Sequence, residues 1–223
     1  MKNNISGFTL IELSIVLIII SLIVGGIVGG KSLIHSAELN SVIRDVNNFK
    51  AVINTFNDSY DAWPGDMVDA TTYWPAPVVT VNGDGNNQIE WATERLTSWQ
   101  HLSLSEILPQ YYSGQQVGGD SATPGVNIPA SSLNQAGFRF YYDTRYGRSG
   151  NRVQITGKNG TSFNGAALSP KDAVTIDKKM DDGKSSSGQV VAVNGSGVTN
   201  CIVSNNYVLS EEDVRCKMTF WVE

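Results

Sequence analysis

Charge, histidine and cysteine are all scarce in this chain of 223 residues. Asp, Glu, Lys and Arg make up 17% of it, the net charge is -5, and like charges form no block. That balance excludes a charged disordered tail and gives no general attraction to nucleic acid, so a nucleic-acid partner is not expected on composition. The two histidines, His35 and His101, have no cysteine, serine elbow or metal-type spacing around them. Catalysis therefore finds little support, and a non-enzymatic protein is expected. The two cysteines, Cys201 and Cys216, allow one internal connectivity. In an oxidising compartment a disulfide is the natural reading, with two free buried thiols as the alternative. A small-residue A-x-A cleavage site is missing too, since the N-terminal apolar run is followed by GGIVGGKSLIHS.

What the chain does have is that apolar run, and one odd residue in it. From Phe8 to Val28 there are 21 residues, and Glu12 alone is charged. As a helix this stretch would be roughly 31 Å long, close to the hydrocarbon thickness of a bilayer. A carboxylate inside it costs a few kcal/mol, so it calls for a partner. Lys2 and the initiator amine precede the run and the next charge is Lys31. The weak positive-inside bias places the N-terminus in the cytoplasm, with the segment kept as a membrane helix and the rest of the chain outside. Beyond residue 30 about 190 residues remain, ample for one buried core.

Gly7-Phe8-Thr9-Leu10-Ile11-Glu12, after a short polar leader, closely resembles the class III signal of type IV pilins and type II secretion pseudopilins. The resemblance implies a leader, residues 1–7, removed by a prepilin peptidase that cuts after Gly7 and methylates the new amine of Phe8. It implies a spine helix over 8–60 with 8–28 transmembrane, then a globular pilin-like domain over 61–223. It also gives Glu12 a role, pairing with the N-terminal amine of a neighbouring subunit during filament assembly. A fixed opposite charge is what makes a carboxylate tolerable in lipid. The implied partners are copies of the chain, other pilins, the peptidase and an inner-membrane assembly platform. The implied location is the bacterial inner membrane, then a periplasmic or extracellular filament. Pilins commonly staple a C-terminal surface region with a disulfide, as Cys201 and Cys216 would.

Gly25 to Ser32, GGIVGGKS, matches the phosphate-binding G-x-x-x-x-G-K-[ST] letter for letter. That loop works only between a strand and a helix, with its backbone amides free. Here the letters fall at the end of a helical pattern, so nucleotide binding is not expected. Gly25/Gly29 and Gly26/Gly30 instead give the G-x-x-x-G spacing that lets helices approach closely.

Leu39, Val42, Val46, Phe49, Ile53, Phe56 and Tyr60 recur at steps of three or four, which extends the helix until Trp63-Pro64-Gly65-Asp66 stops it. A second helix is expected from near Thr93 to Pro109. GFRFYYDTR (137–145) and NRVQITG (151–157) alternate and read as a hairpin. Ser169, Pro170 and Asp172 carry the start signals of a short helix. Residues 188–195 and 216–223 read as the last strands. A long spine helix on an antiparallel sheet is an α+β plan.

Two acidic stretches invite a calcium reading, through Asp84 and Asn86 in NGDGNNQ and through Asp181 and Asp182, with Asp177 nearby. The EF-hand pattern fails, because aligning Gly85 to its glycine puts Thr80 first and Trp91 twelfth. An Asn-Gly/Asp-Gly turn is the plainer reading of the first stretch. Arg139, Arg145, Arg148, Arg152 and Lys158 cluster around the hairpin. They supply the alternative of a minor tip pilin that binds DNA or a surface. Within the resemblance, the disulfide favours a pilin and a calcium loop a secretion pseudopilin.

Overall fold

The apolar stripe drawn from the sequence is one side of helix α1 (Leu10–Tyr60). Leu39, Val42, Val46, Phe49, Ile53 and Phe56 are all buried along it, while Arg44, Asn47, Asn48 and Asn54 face out. The helix ends where Asp61 takes a positive φ of 51° and Pro64 and Gly65 follow. Gly65 has φ 98°, and a Cβ there would sit 2.6 Å from the Glu94 carbonyl oxygen, so glycine is required twice over. The computed structural model describes residues 9–76, 78–90, 94–116, 121–133, 135–144 and 147–222. By internal contacts the chain divides into residues 1–38 and 39–223, a boundary that falls inside α1.

In the larger unit α1 is followed by the short α2 (Ala70–Tyr73) and by α3 (Glu94–Leu104). Strands β1 (Ala136–Asp143), β2 (Gly150–Asn159) and β3 (Ser162–Gly165) come next, then α4 (Pro170–Met180). Strands β4 (Val190–Asn194), β5 (Ile202–Val203), β6 (Asn206–Tyr207) and β7 (Cys216–Trp221) complete the chain. The main sheet is antiparallel in the order β1-β2-β7-β4, with β3 on the end of β2, and the last strand is inserted between two earlier ones. This is the expected α+β plan.

Strand alternation divides the sheet into two faces. Phe138 lies opposite Ile155, Val153 opposite Phe220 and Ala192 opposite Met218, and all six are buried. This face meets α1 through Phe49, whose ring packs edge-on to Phe138 and to Trp99 of α3, each at 5.0 Å. The other face carries Tyr141 opposite Arg152, Arg152 opposite Trp221, and Gln154 opposite Arg139 and Thr219. There the Arg152 guanidinium lies 5.2 Å from the Tyr141 ring and 4.9 Å from the Trp221 ring, and it pairs with Asp143. Burial pulls the Arg152 pKa down to about 10, so it remains a cation at neutral pH.

α4 starts as its sequence dictates. Ser169 Oγ accepts from Asp172 N at 3.2 Å and Pro170 occupies the first turn. Cys201 and Cys216 are bonded to one another, both fully buried, with Cα atoms 4.9 Å apart. The bridge closes the β5–β6 hairpin onto β7 across a sequence separation of 15. Replacing both cysteines by serine is expected to lower stability by about 3 kcal/mol. A thermal melt of the variant and of the reduced wild type checks it, and both should fall together.

Candidate functional site

The candidate site begins at the first described residues. Thr9 caps α1, and Glu12 in the first turn reaches back to it. Glu12 Oε2 accepts from the Thr9 backbone N–H and from the Thr9 hydroxyl, each at 2.8 Å, and the Thr9 hydroxyl oxygen accepts from Glu12 N at 3.3 Å. This reciprocal arrangement is the capping box, and it satisfies donors that a helix start leaves open. The T-x-x-E spacing that produces it is legible in sequence, and it gives Glu12 a local partner besides the charged one expected from the resemblance. Glu12 is therefore held, on its own helix, against the first turn. Gly7 and Phe8 lie outside the described residues.

Leu10 to Leu22 are exposed along the single chain, in a helix long and apolar enough to cross a membrane. At Gly25, Gly26, Gly29 and Gly30 an added Cβ would meet nothing within 4 Å, so this small-residue face is open. The same residues lie in unbroken α-helix. Their backbone amides are consumed by the helix ladder, which disposes of the phosphate-loop reading.

The four residues read as calcium ligands separate into two clusters. Asp84 groups with Asp66 and Glu94, and Asp181 and Asp182 group with Asp177. Asn86 stays with Asp84, donating to it from its side chain at 3.0 Å. The buried Asp66 carboxylate accepts from the N–H groups of Gly85, Asn86 and Asn87 at 2.7, 3.2 and 2.7 Å. Glu94 accepts from Asp84 N and Glu90 N. Burial raises the pKa of both carboxyls, and these backbone donors work against the rise. In the second cluster Asp177 accepts from the Tyr207 hydroxyl at 2.6 Å and from Gly183 N at 3.1 Å. Asp181 accepts from Val190 N, and Asp182 from Lys184 N and Ser187 Oγ. Hydrogen bonds within the chain thus account for where these carboxylates stand. Asp66 and Tyr207 have no local sequence signal, because the partners at Gly85 and Asp177 are 19 and 30 residues away, and Glu94 joins a local bond from Glu90 N to one from Asp84 N ten residues back.

Of the basic residues around the hairpin, Arg139 and Arg152 are buried in the second face of the sheet, and Arg145 lies outside the described residues. Arg148 is half-buried, 4.8 Å from the Trp221 ring, and Lys158 is exposed. The five do not form one exposed basic stripe. His101 is buried, its Nδ1 accepting from Gly65 N at 3.0 Å and its Nε2 lying 3.1 Å from Thr80 Oγ1. Both ring nitrogens serve the fold.

These groups predict an unusual pH profile. Burial lowers the His101 pKa from 6.5 to about 4, so its contribution to stability is complete above pH 6.5 and lost as pH falls toward 4. Burial, aided by Asp181 and Asp182, raises Asp177 from 3.8 to about 6. Its contribution is complete below pH 3.8 and is lost as pH rises through 6. Across this window the two oppose each other. Asp177→Asn removes one arm, so its stability relative to wild type should drop by about 2 kcal/mol between pH 6 and pH 4. Urea titrations at the two pH values check it, and parallel profiles for both proteins would refute it.

No curated protein and no solved structure matches the chain. The N-terminal segment does match a family model. The motif and the apolar helix that begins within it are consistent with membrane anchoring, and the motif points to a structural protein of pilin-like type. Residues 2–28 carry the prokaryotic N-terminal methylation motif, which is the signal of type IV pilins and pseudopilins.

Proposed function

We propose that the chain is a structural subunit, a pilin or pseudopilin, of a type IV pilus-like filament. The observation that carries this is the methylation motif over residues 2–28, with Glu12 in the first turn of α1 and no other charge from there up to Val28. A prepilin peptidase cuts after Gly7 and methylates Phe8. The subunit waits in the inner membrane on residues 8–28, N-terminus cytoplasmic, until the assembly platform adds it to a filament of like subunits. Cutting places a new amine one residue from Thr9, whose N–H the Glu12 carboxylate already accepts. A neighbour's amine can then exchange with that capping bond, replacing a neutral donor by a charged one. The open glycine face at Gly25 to Gly30 supports close helix packing. The disulfide supports the pilin branch.

The test is the mass and first residue of the membrane-extracted protein, made with and without an active prepilin peptidase. A chain that begins at methylated Phe8 only when the peptidase is present supports the reading. A chain still beginning at Met1 beside the active enzyme reduces the motif to a signal anchor.

A further inference from the structure

Asparagine followed by glycine occurs four times, at Asn82-Gly83, Asn159-Gly160, Asn164-Gly165 and Asn194-Gly195. Such a step has a chemistry of its own. The glycine amide nitrogen, unhindered by a Cβ, can attack the asparagine side-chain carbonyl carbon if both groups are free to meet. The fold treats the four steps very differently.

Three are locked. Gly83 donates its N–H to Met67 O at 2.8 Å, and Asn82 Oδ1 accepts from Thr71 N at 2.9 Å. Gly195 donates to Arg215 O at 2.8 Å, and Asn194 Oδ1 accepts from Cys201 N at 2.9 Å. Asn164 and Gly165 lie inside β3, with Gly165 buried opposite Gly157 and a Cβ there only 2.6 Å from Lys158 O. Asn159-Gly160 is different. Asn159 is the last residue of β2, and Gly160 sits in the two-residue turn before Ser162, with φ 60° as the first position of a type II′ turn requires. Both are exposed, and a Cβ at Gly160 would meet nothing within 4 Å.

We propose that the exposed Asn159-Gly160 turn is the chain's site of spontaneous succinimide formation and isoaspartate conversion. Gly160 N bonds to Asn159 Cγ, the Cγ–Nδ2 bond breaks, and ammonia leaves with the proton from the amide. Water then opens the ring at either carbonyl, giving aspartate or isoaspartate at position 159, with no oxidant or reductant involved. The product adds one negative charge. In its isoaspartate form it also adds a methylene to the main chain at the narrow end of the β2–β3 pairing. That pairing rests on Gly157 with Gly165 and Asn159 with Ser162, and the next residue, Thr161, accepts from Ser121 N at 3.0 Å. The modification therefore loosens β3 at its turn.

The test ages the folded full-length protein in mildly alkaline buffer, then reads each asparagine by peptide fragment masses that separate Asn159 from Asn164. A parallel sample is aged in urea. Asn159 should convert several-fold faster than the other three in the folded protein, and the four should draw level in urea. Asn159→Gln, which leaves the turn glycine in place, should abolish the conversion there, and Gly160→Ala should slow it several-fold. Another asparagine leading in the folded protein overturns the proposal. So does the same ranking in urea, because the fold would then not be the selector.

Discussion

Glu12→Gln is expected to abolish filament assembly while leaving cleavage, methylation and membrane insertion intact. The choice of glutamine matters. A capping box accepts Gln in place of Glu, so the bonds from Thr9 N and the Thr9 hydroxyl survive and the start of α1 is preserved. Only the negative charge is removed, which makes insertion easier by a few kcal/mol. In the proposed filament, what is lost is the charged partner for a neighbour's amine, on the order of 3–5 kcal/mol for breaking a buried pair. That corresponds to roughly two to three and a half orders of magnitude in each subunit association. Sheared surface fractions compared with membrane fractions give the readout. Thr9→Val isolates the other half of the arrangement, costing about 1 kcal/mol of capping and reducing assembly far less. Filaments from Glu12→Gln at wild-type abundance would show that the charge is not used for assembly.

The parts of this molecule that were legible from sequence are those whose causes are local. The long helix followed from an apolar run and a stripe at helical spacing, and it stops at Tyr60 because Asp61, Pro64 and Gly65 cannot continue it. The Ser169 cap and the paired strands β1 and β2 were visible for the same reason. α3 was harder. It ends at Leu104, short of Pro109, and its predicted start at Thr93 lies outside the described residues. Its polar residues gave no hint that they would be buried. Gln100 is a clear case, because its side chain donates to Val79 O at 2.7 Å and Ser113 O at 3.0 Å and so ties two loops to the helix. Those partners are 21 and 13 residues away, and periodicity says nothing about them. The insertion of β7 between β2 and β4 is likewise a long-range event. It sets Trp221 against Arg152 and turns part of an apparent basic surface into buried structure.

That burial gives the second large effect. Arg152→Met should destabilise the protein by about 3–5 kcal/mol, since it leaves Asp143 buried with its ion-pair partner gone. For a domain of this size the melting temperature should drop by roughly 10 °C. Part of the loss comes from the guanidinium stacked between Tyr141 and Trp221, where a desolvated cation over a ring contributes about 2 kcal/mol. Asp143→Leu should cost a similar amount for the converse reason, a buried cation that has lost its carboxylate. The double variant Arg152→Met, Asp143→Leu decides between charge pairing and packing. If the pair matters mainly because each charge needs the other, the double variant costs well under the sum of the two, with a coupling of about 2–3 kcal/mol. If the two costs simply add, the stacking between the rings is the main contribution. An Arg152→Met protein within about 1 kcal/mol of wild type, the size of an ordinary surface substitution, would refute both and return Arg152 to the exposed basic patch that its place in the sequence first suggested.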